Sequence, residues 1–129
     1  MGKAEKQIDT TKIAIFRQKK IRRKIYKNEW WFSVIDVIQV LTDQPDYLTA
    51  RKYWNKLAQR LRDEGSESVT ICHQLKLEAS DGKKYETDCA NAEGILRIVQ
   101  SIPSPKAEPF KRWLARVGHS DRRNFQSHF

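Results

Sequence analysis

The sequence is poor in the residues that organise many small catalytic and cofactor sites. It has two cysteines, Cys72 and Cys89, in 129 residues. That is too few for a disulfide scaffold, so a reduced intracellular compartment is the simplest expectation. Its five glycines never fall in a GxGxxG or GxxxxGK spacing, which excludes the backbone cradles that hold nucleotide phosphates. The three histidines, His73, His119 and His128, lie in no HExxH or paired-cysteine pattern, so no metal site is expected. Cys72 and His73, adjacent on a strand, would face opposite sides of a sheet and make a poor nucleophile–base pair. No run of 18 apolar residues exists to cross a membrane. The opening MGKAEKQIDT lacks the apolar core of a secretory signal, and a cytoplasmic location follows as the expectation. No internal repeat is visible, and no cofactor is expected.

What the chain has in excess is positive charge, with 25 Lys and Arg against 16 Asp and Glu. Ten of those cations fall in the first 29 residues against three carboxylates. Residues 30–64 are neutral, residues 65–101 carry −2, and residues 102–129 carry +4. A basic stripe on an ordered element is the electrostatic footprint of a polyanion binder. The plainer reading is a solvated, lysine-rich terminus. Interleaving of the cations with apolar residues favours the first. Four Trp, five Phe and four Tyr in a chain that is 39% hydrophobic supply one core, and the length suits a single domain.

Residues 1–11 read as a flexible basic arm. Lys12–Ser33 reads as an antiparallel meander, with β-forming Lys12–Phe16, a turn at Gln18–Lys20, an alternating Ile21–Lys27 and a second turn at Lys27–Glu29. Its cations are expected on the solvent face. Ser33 is an N-cap candidate for a buried helix that stops near Thr42, and Asp36 in its first turn suits the helix dipole. Asp46 caps the next helix, which runs to about Glu64 and ends at Gly65. Tyr47, Leu48, Ala50, Tyr53, Trp54, Leu57, Ala58 and Leu61 form its core face, and Lys52, Asn55, Lys56 and Gln59 lie on one outer stripe. Residues 69–89 read as a hairpin turning at Asp81–Gly82. Asn91 caps a short helix, and a last helix from about Lys106 ends at Gly118. Residues 119–129 read as an irregular tail. The expected fold is α+β, a small antiparallel sheet made from the meander and the hairpin, packed with about four helices.

The chemistry resides in the cations. Lys19, Lys20, Arg22, Arg23 and Lys24 on the meander would grip phosphates. Arg51, Lys52, Asn55, Lys56, Gln59 and Arg60 on the long helix would offer phosphate and base-edge contacts in a major groove. Of the pair Trp30 and Trp31, one is expected in the core and the other half-buried, in preference to exposed stacking platforms. Cys72 and Cys89 could approach across the hairpin. Glu86, Asp88 and Glu93 form an acidic cluster of the kind a divalent ion would need, with a solvated strand edge and helix start as the plainer reading.

The run Trp31-Phe32-Ser33-Val34-Ile35-Asp36-Val37, then Ala50-Arg51-Lys52-Tyr53-Trp54-Asn55-Lys56-Leu57 and Arg60-Leu61, resembles the N-terminal domain of the Bro family. That domain occurs in phage antirepressor-like proteins and in DNA-damage-inducible protein D. The stretch from Ala92 to Leu114, with Ile102-Pro103-Ser104-Pro105 at its centre, strengthens the likeness. The likeness extends roughly from Ile13 to Gly118, so residues 12–118 are taken as the domain. The resemblance implies a DNA-binding α+β module that usually precedes a variable C-terminal domain carrying partner choice. Here eleven residues follow Gly118, which reads as an isolated or truncated N-terminal domain.

The resulting expectation is a non-catalytic module that binds DNA, taken as double-stranded. Two alternatives remain open. One is a protein-interaction module that binds a repressor or another regulatory protein through the apolar Ile102–Val117 stretch, with a homodimer also open. The other is a metal-dependent nuclease using Glu86, Asp88 and Glu93.

Overall fold

Strand β1 (Lys12–Phe16), β2 (Lys19–Tyr26) and β3 (Glu29–Ser33) form a meander that runs directly into helix α1 (Val34–Thr42). Helix α2 (Tyr47–Asp63) follows, then a hairpin of β4 (His73–Glu78) and β5 (Lys84–Asn91), then α3 (Ala92–Val99) and α4 (Ala107–Ser127). These assignments come from a computed structural model that describes residues 11–66 and 71–127. The five strands make one antiparallel sheet in the order β1-β2-β3-β5-β4. The fold is therefore the α+β class expected from the sequence. The N-terminal arm, and Val69 and Thr70 of the expected hairpin, lie outside the described residues.

Both meander turns are two-residue connections, Arg17–Gln18 and Lys27–Asn28. All four residues have positive φ, at 49°, 68°, 52° and 65°. Such left-handed pairs match the twist of the flanking strands, although neither turn has glycine. The first turn comes earlier than Gln18–Lys20 because inward-facing Phe16 and Ile21 set the register, with Phe16 opposite Lys19. The β4–β5 turn uses Asp81–Gly82 as expected. Gly82 has φ +82°, and the Asp81 carboxylate accepts from Lys83 N–H at 2.8 Å. Strand β4 begins at His73, so Ile71 and Cys72 precede it.

The main core fills the space between one sheet face and the helices. It includes Phe16, Ile21, Phe32, Val37, Ile38, Trp54, Ile95, Phe110 and Leu114, all no more than 4% exposed. Helix α1 is buried almost all round, and its ends are satisfied locally. The Asp36 N–H donates to the Ser33 hydroxyl at 3.2 Å. At the other end the Ser104 hydroxyl donates to the Leu41 carbonyl at 2.6 Å. The Lys106 ammonium reaches the Val40 carbonyl at 3.3 Å and pairs with Asp43. The proline-rich connection before α4 thereby satisfies carbonyls that a helix end leaves open.

Helix α4 does not stop at Gly118; its backbone stays helical to Ser127, where an irregular tail was expected. Gly118 sits on the packed side, where an added Cβ would lie 3.3 Å from the Ala92 Cβ. It is a close-approach glycine, not a helix terminator.

The other sheet face is not simply solvated. The β4–β5 hairpin curls across it, enclosing a second cluster of Trp31, Leu75, Leu77 and Cys89 with Tyr26 beside them. Lys24 is only 6% exposed, and its ammonium donates to the Lys76 carbonyl at 2.9 Å. Arg22 reaches the Glu78 carbonyl at 3.3 Å, and Glu78 N–H donates to the Thr11 hydroxyl at 3.0 Å.

One carboxylate organises the passage from sheet to helix. Continued register would set Ser33 opposite Arg22, but the chain has already turned and Ser33 is the N-cap of α1. Asp36 takes over the ladder. It accepts from the Arg22 backbone N–H at 2.9 Å and from the guanidinium Nε and Nη2 at 2.9 and 3.0 Å. The two side chains are 14% and 10% exposed. Burial opposes the charge on Arg22, but the hydrogen bonds and charge of Asp36 outweigh it, and the guanidinium pKa is raised. Removing one partner of such a pair leaves a buried charge and an open N–H. Asp36→Ala should therefore destabilise the fold by about 3 kcal/mol in urea unfolding, the lower end of the range for buried pairs because one edge stays wet. Asp36→Asn, which keeps an acceptor, should lose less. Equal losses for the two would show that the acceptor geometry contributes nothing.

Candidate nucleic-acid interface

Helix α2 forms because its apolar residues recur every three or four positions. Ala50, Trp54, Leu57, Ala58 and Leu61 are all buried. Trp54 is fixed further by its indole N–H, which donates to the Asp88 carboxylate on β5 at 2.8 Å. The N-terminus is held by Asp46, which accepts from Thr49 N–H at 2.9 Å. That hydrogen bond holds the Asp46 carboxyl below the usual carboxylate range. The cap's pH-dependent contribution is thus complete above the unfolded value of 3.8 and fades as pH falls through the lower folded one.

Locking one side of the helix leaves the other outward. Arg51, Lys52, Asn55, Lys56, Gln59 and Arg60 are all exposed. Arg51, Lys52, Asn55 and Lys56 make no hydrogen bond or ion pair among the described residues. Gln59 and Arg60 differ. The Gln59 amide donates to Asp63 at 2.9 Å. Arg60 leans toward the Ser101 carbonyl at 3.4 Å and toward Glu64 at 3.9 Å. Two residues assigned to the core face are outside it. Leu48 is 56% exposed, on the same stripe as Lys52 and Asn55, and Tyr47 is 39% exposed. Both lie in the first turn. Tyr47 flanks Arg22, whose guanidinium carbon is 5.5 Å from its ring centroid.

The meander cations divide. Lys19 and Lys20 are exposed. Arg22, Arg23 and Lys24 do not form the expected solvent face. Arg22 is held by Asp36, Lys24 lies under the hairpin, and the Arg23 guanidinium stacks 3.9 Å from the Trp30 ring centroid. The turn into α1 and the curl of the hairpin remove Arg22 and Lys24 from the surface, whereas Arg23 shares the strand face of Ile21 and packs on Trp30 beside the main core. Trp31 is buried at 6% and Trp30 half-buried, as expected for that pair.

Where β2 and β5 part beyond Ser33, an open groove of about 1050 Å³ lies between them. Lys20, Arg22, Tyr47 and Arg51 line one part of it, and Glu78 and Glu86 another. The groove joins the exposed end of β2 to the first turn of α2. It carries both signs of charge, whereas the outer stripe of α2 is cationic.

Several residues of the two alternatives are buried or paired. Phe110, Trp113 and Leu114 of the Ile102–Val117 stretch are at most 7% exposed, and Ile102 is 3% exposed. This apolar face belongs to the core and is not available for docking. Asp88 is engaged by Trp54 and by Gln74 at 3.2 Å, and Glu93 pairs with Arg97 at 3.8 Å. Among the described residues no group of His, Cys, Asp and Glu is placed to hold a metal. The cysteines belong to different clusters: Cys72, just before β4, packs against the main core, and Cys89 lies in the second cluster.

A curled antiparallel sheet backed by helices, with one helix presenting a cationic outer face, defines a small α+β module with a basic surface. The family profile "BRO family, N-terminal domain" matches residues 20–119, and the chain belongs to that family. Comparison with curated proteins and with solved structures gives no match. No helix among the described residues is long and apolar enough to cross a membrane.

Burial raises both thiols to about 12. At pH 8 the thiolate is then about one part in ten thousand. Ellman's reagent should leave the fully buried Cys89 of the native protein unlabelled within minutes, and should label both cysteines in guanidinium. Rapid labelling of two thiols in the native chain would contradict the burial of Cys89.

Proposed function

We propose that this chain is a non-catalytic duplex-DNA-binding module of a Bro or antirepressor-like regulator, of the kind found in DNA-damage-inducible protein D. The observation that carries this reading is the outer face of α2. There Arg51, Lys52, Asn55 and Lys56 project together with no carboxylate bound to them among the described residues, on a helix whose other side is locked by Trp54.

In this reading α2 enters the major groove. Asn55 has the amide geometry for an adenine edge, and Arg51, Lys52 and Lys56 take phosphates or guanine edges. Leu48, exposed on the same stripe, offers an apolar contact for a thymine methyl. Lys19 and Lys20 approach the backbone from the β1–β2 hairpin. Arg22, Arg23 and Lys24 act indirectly, by holding the sheet that carries these groups. Residues 12–118 make up the binding unit, and it acts inside the cell, where the DNA is. Any partner protein, a repressor included, docks elsewhere than on the buried Ile102–Val117 face.

Counterion release gives the reading a quantitative signature. About five phosphate contacts correspond to a log–log salt slope of about −4.5 for duplex DNA. A fluorescent mixed-sequence duplex titrated at two salt concentrations should show this steep weakening, and a single strand of the same length should bind less tightly. Lys52→Gln with Lys56→Gln should weaken every duplex alike and flatten the slope by about two. Asn55→Ala should instead reduce discrimination between sequences. A uniform loss on all sequences for Asn55→Ala would sink the assignment of α2 as the reading helix.

A further inference from the structure

A second cationic site lies away from α2. Arg112 and Arg116 of α4 and Arg17 of the first meander turn share one open hollow of about 280 Å³, with Phe16, Pro109 and Trp113 as its remaining walls. All three arginines are exposed. None has a carboxylate or a hydrogen-bond partner among the described residues. We propose that this hollow binds a phosphate group of the nucleic-acid backbone, as a second anchor beside α2; this rests on the DNA-binding reading above.

The construction of the hollow argues against a chance gathering of solvated side chains. Pro109, Arg112, Trp113 and Arg116 follow the three-and-four spacing of one helical stripe. Like charges four residues apart on a helix repel, and here a third cation is added from another element. Arg17 is delivered by a turn in which it adopts φ 49° and Gln18 φ 68°, a conformation that side chains other than glycine seldom take. The Lys27–Asn28 turn shares that geometry, so left-handed backbone alone is a hairpin property here. What distinguishes the first turn is where it places its cation.

The floor is rigid. Trp113 is 7% exposed, its indole N–H donates to the Ile15 carbonyl at 2.8 Å, and its ring packs against Phe16 at 5.5 Å between centroids. The Arg17 guanidinium carbon lies 5.5 Å from the Phe16 centroid. Low-dielectric aromatic walls concentrate the field of the arginines outward. Planar guanidinium forks suit phosphate oxygens in pairs. The β1–β2 hairpin links the two sites along the chain. Arg17 is three residues from Lys20, Lys20 and Arg51 line the same groove, and Lys19 between them is exposed. A backbone engaged by α2 and by Lys19 and Lys20 therefore has the hollow as its next cationic stop.

The test uses the full chain and the duplex titration, comparing Arg112→Gln with Arg116→Gln as a double variant against the Lys52, Lys56 double variant. Circular dichroism would establish that both fold. The expected result is an affinity loss of about tenfold near 0.1 M salt, the same for every sequence, and a salt slope flatter by about two. Wild-type affinity and slope in the arginine variant, with binding weakened in the lysine variant, would overturn this site and leave the α2 reading standing. Absence of duplex binding by the wild-type chain even at low salt would overturn both. A parallel arm titrates inorganic phosphate and follows arginine side-chain Nε–H signals by NMR. Saturable shifts at Arg112 and Arg116 with no effect of the variant on duplex binding would make this a site for small phosphate anions and overturn the backbone assignment.

Discussion

The architecture turns on a single carboxylate. At Arg22 the meander loses its strand neighbour because β3 has become the cap of α1, and Asp36 supplies the missing acceptor while binding the guanidinium of the same residue. An unsatisfied backbone N–H beside a half-buried arginine would cost several kcal/mol. Satisfying both with one side chain makes the exit of α1 from the sheet direction-specific. The groove beyond Ser33, the seat of Tyr47 beside Arg22 and the approach of α2 to β5 through Trp54 and Asp88 all follow from that exit.

The same interaction changes how the positive charge should be read. A strand written Lys-Lys-Ile-Arg-Arg-Lys looks like a basic surface. In the folded chain it contributes two solvated lysines, one ion pair, one stacked guanidinium and one lysine under a hairpin. Covered cations hold the sheet closed through backbone carbonyls of β4. Exposed cations lie instead on β1, at the start of β2, in the meander turns, on α2, on the β4–β5 hairpin and on α4. Net charge sets the long-range field of the molecule, whereas burial and pairing decide which cations stay solvated.

Much of the scaffold was legible because its signals are local. Ser33, Asp46 and Asn91 each cap the helix expected of them. Asp81–Gly82 turns the hairpin, and the three-and-four spacing of Ala50 to Leu61 marks the buried side of α2. The outer stripe of that helix was legible for the same reason, since a helix with one buried side must present the other. Less visible were Tyr47 and Leu48, apolar residues in a first turn that extends past the core. Gly118 reads as a stop signal but serves a close contact with Ala92. Its packing role is invisible without the neighbouring helix.

The sequence by itself determined the α+β class, the order of the elements, the family and the basic outer side of α2. Capping, turn chemistry and hydrophobic periodicity act within a few residues and need no distant partner. Only the tertiary structure decided which cations are free. Arg22 meets a carboxylate 14 positions away and Lys24 a carbonyl 52 positions away, while Trp113 reaches across 98 to the strand that precedes the Arg17 turn. A lysine or arginine carries the same charge in any context. Whether it is desolvated and paired or left in water depends on contacts that chain folding alone brings together.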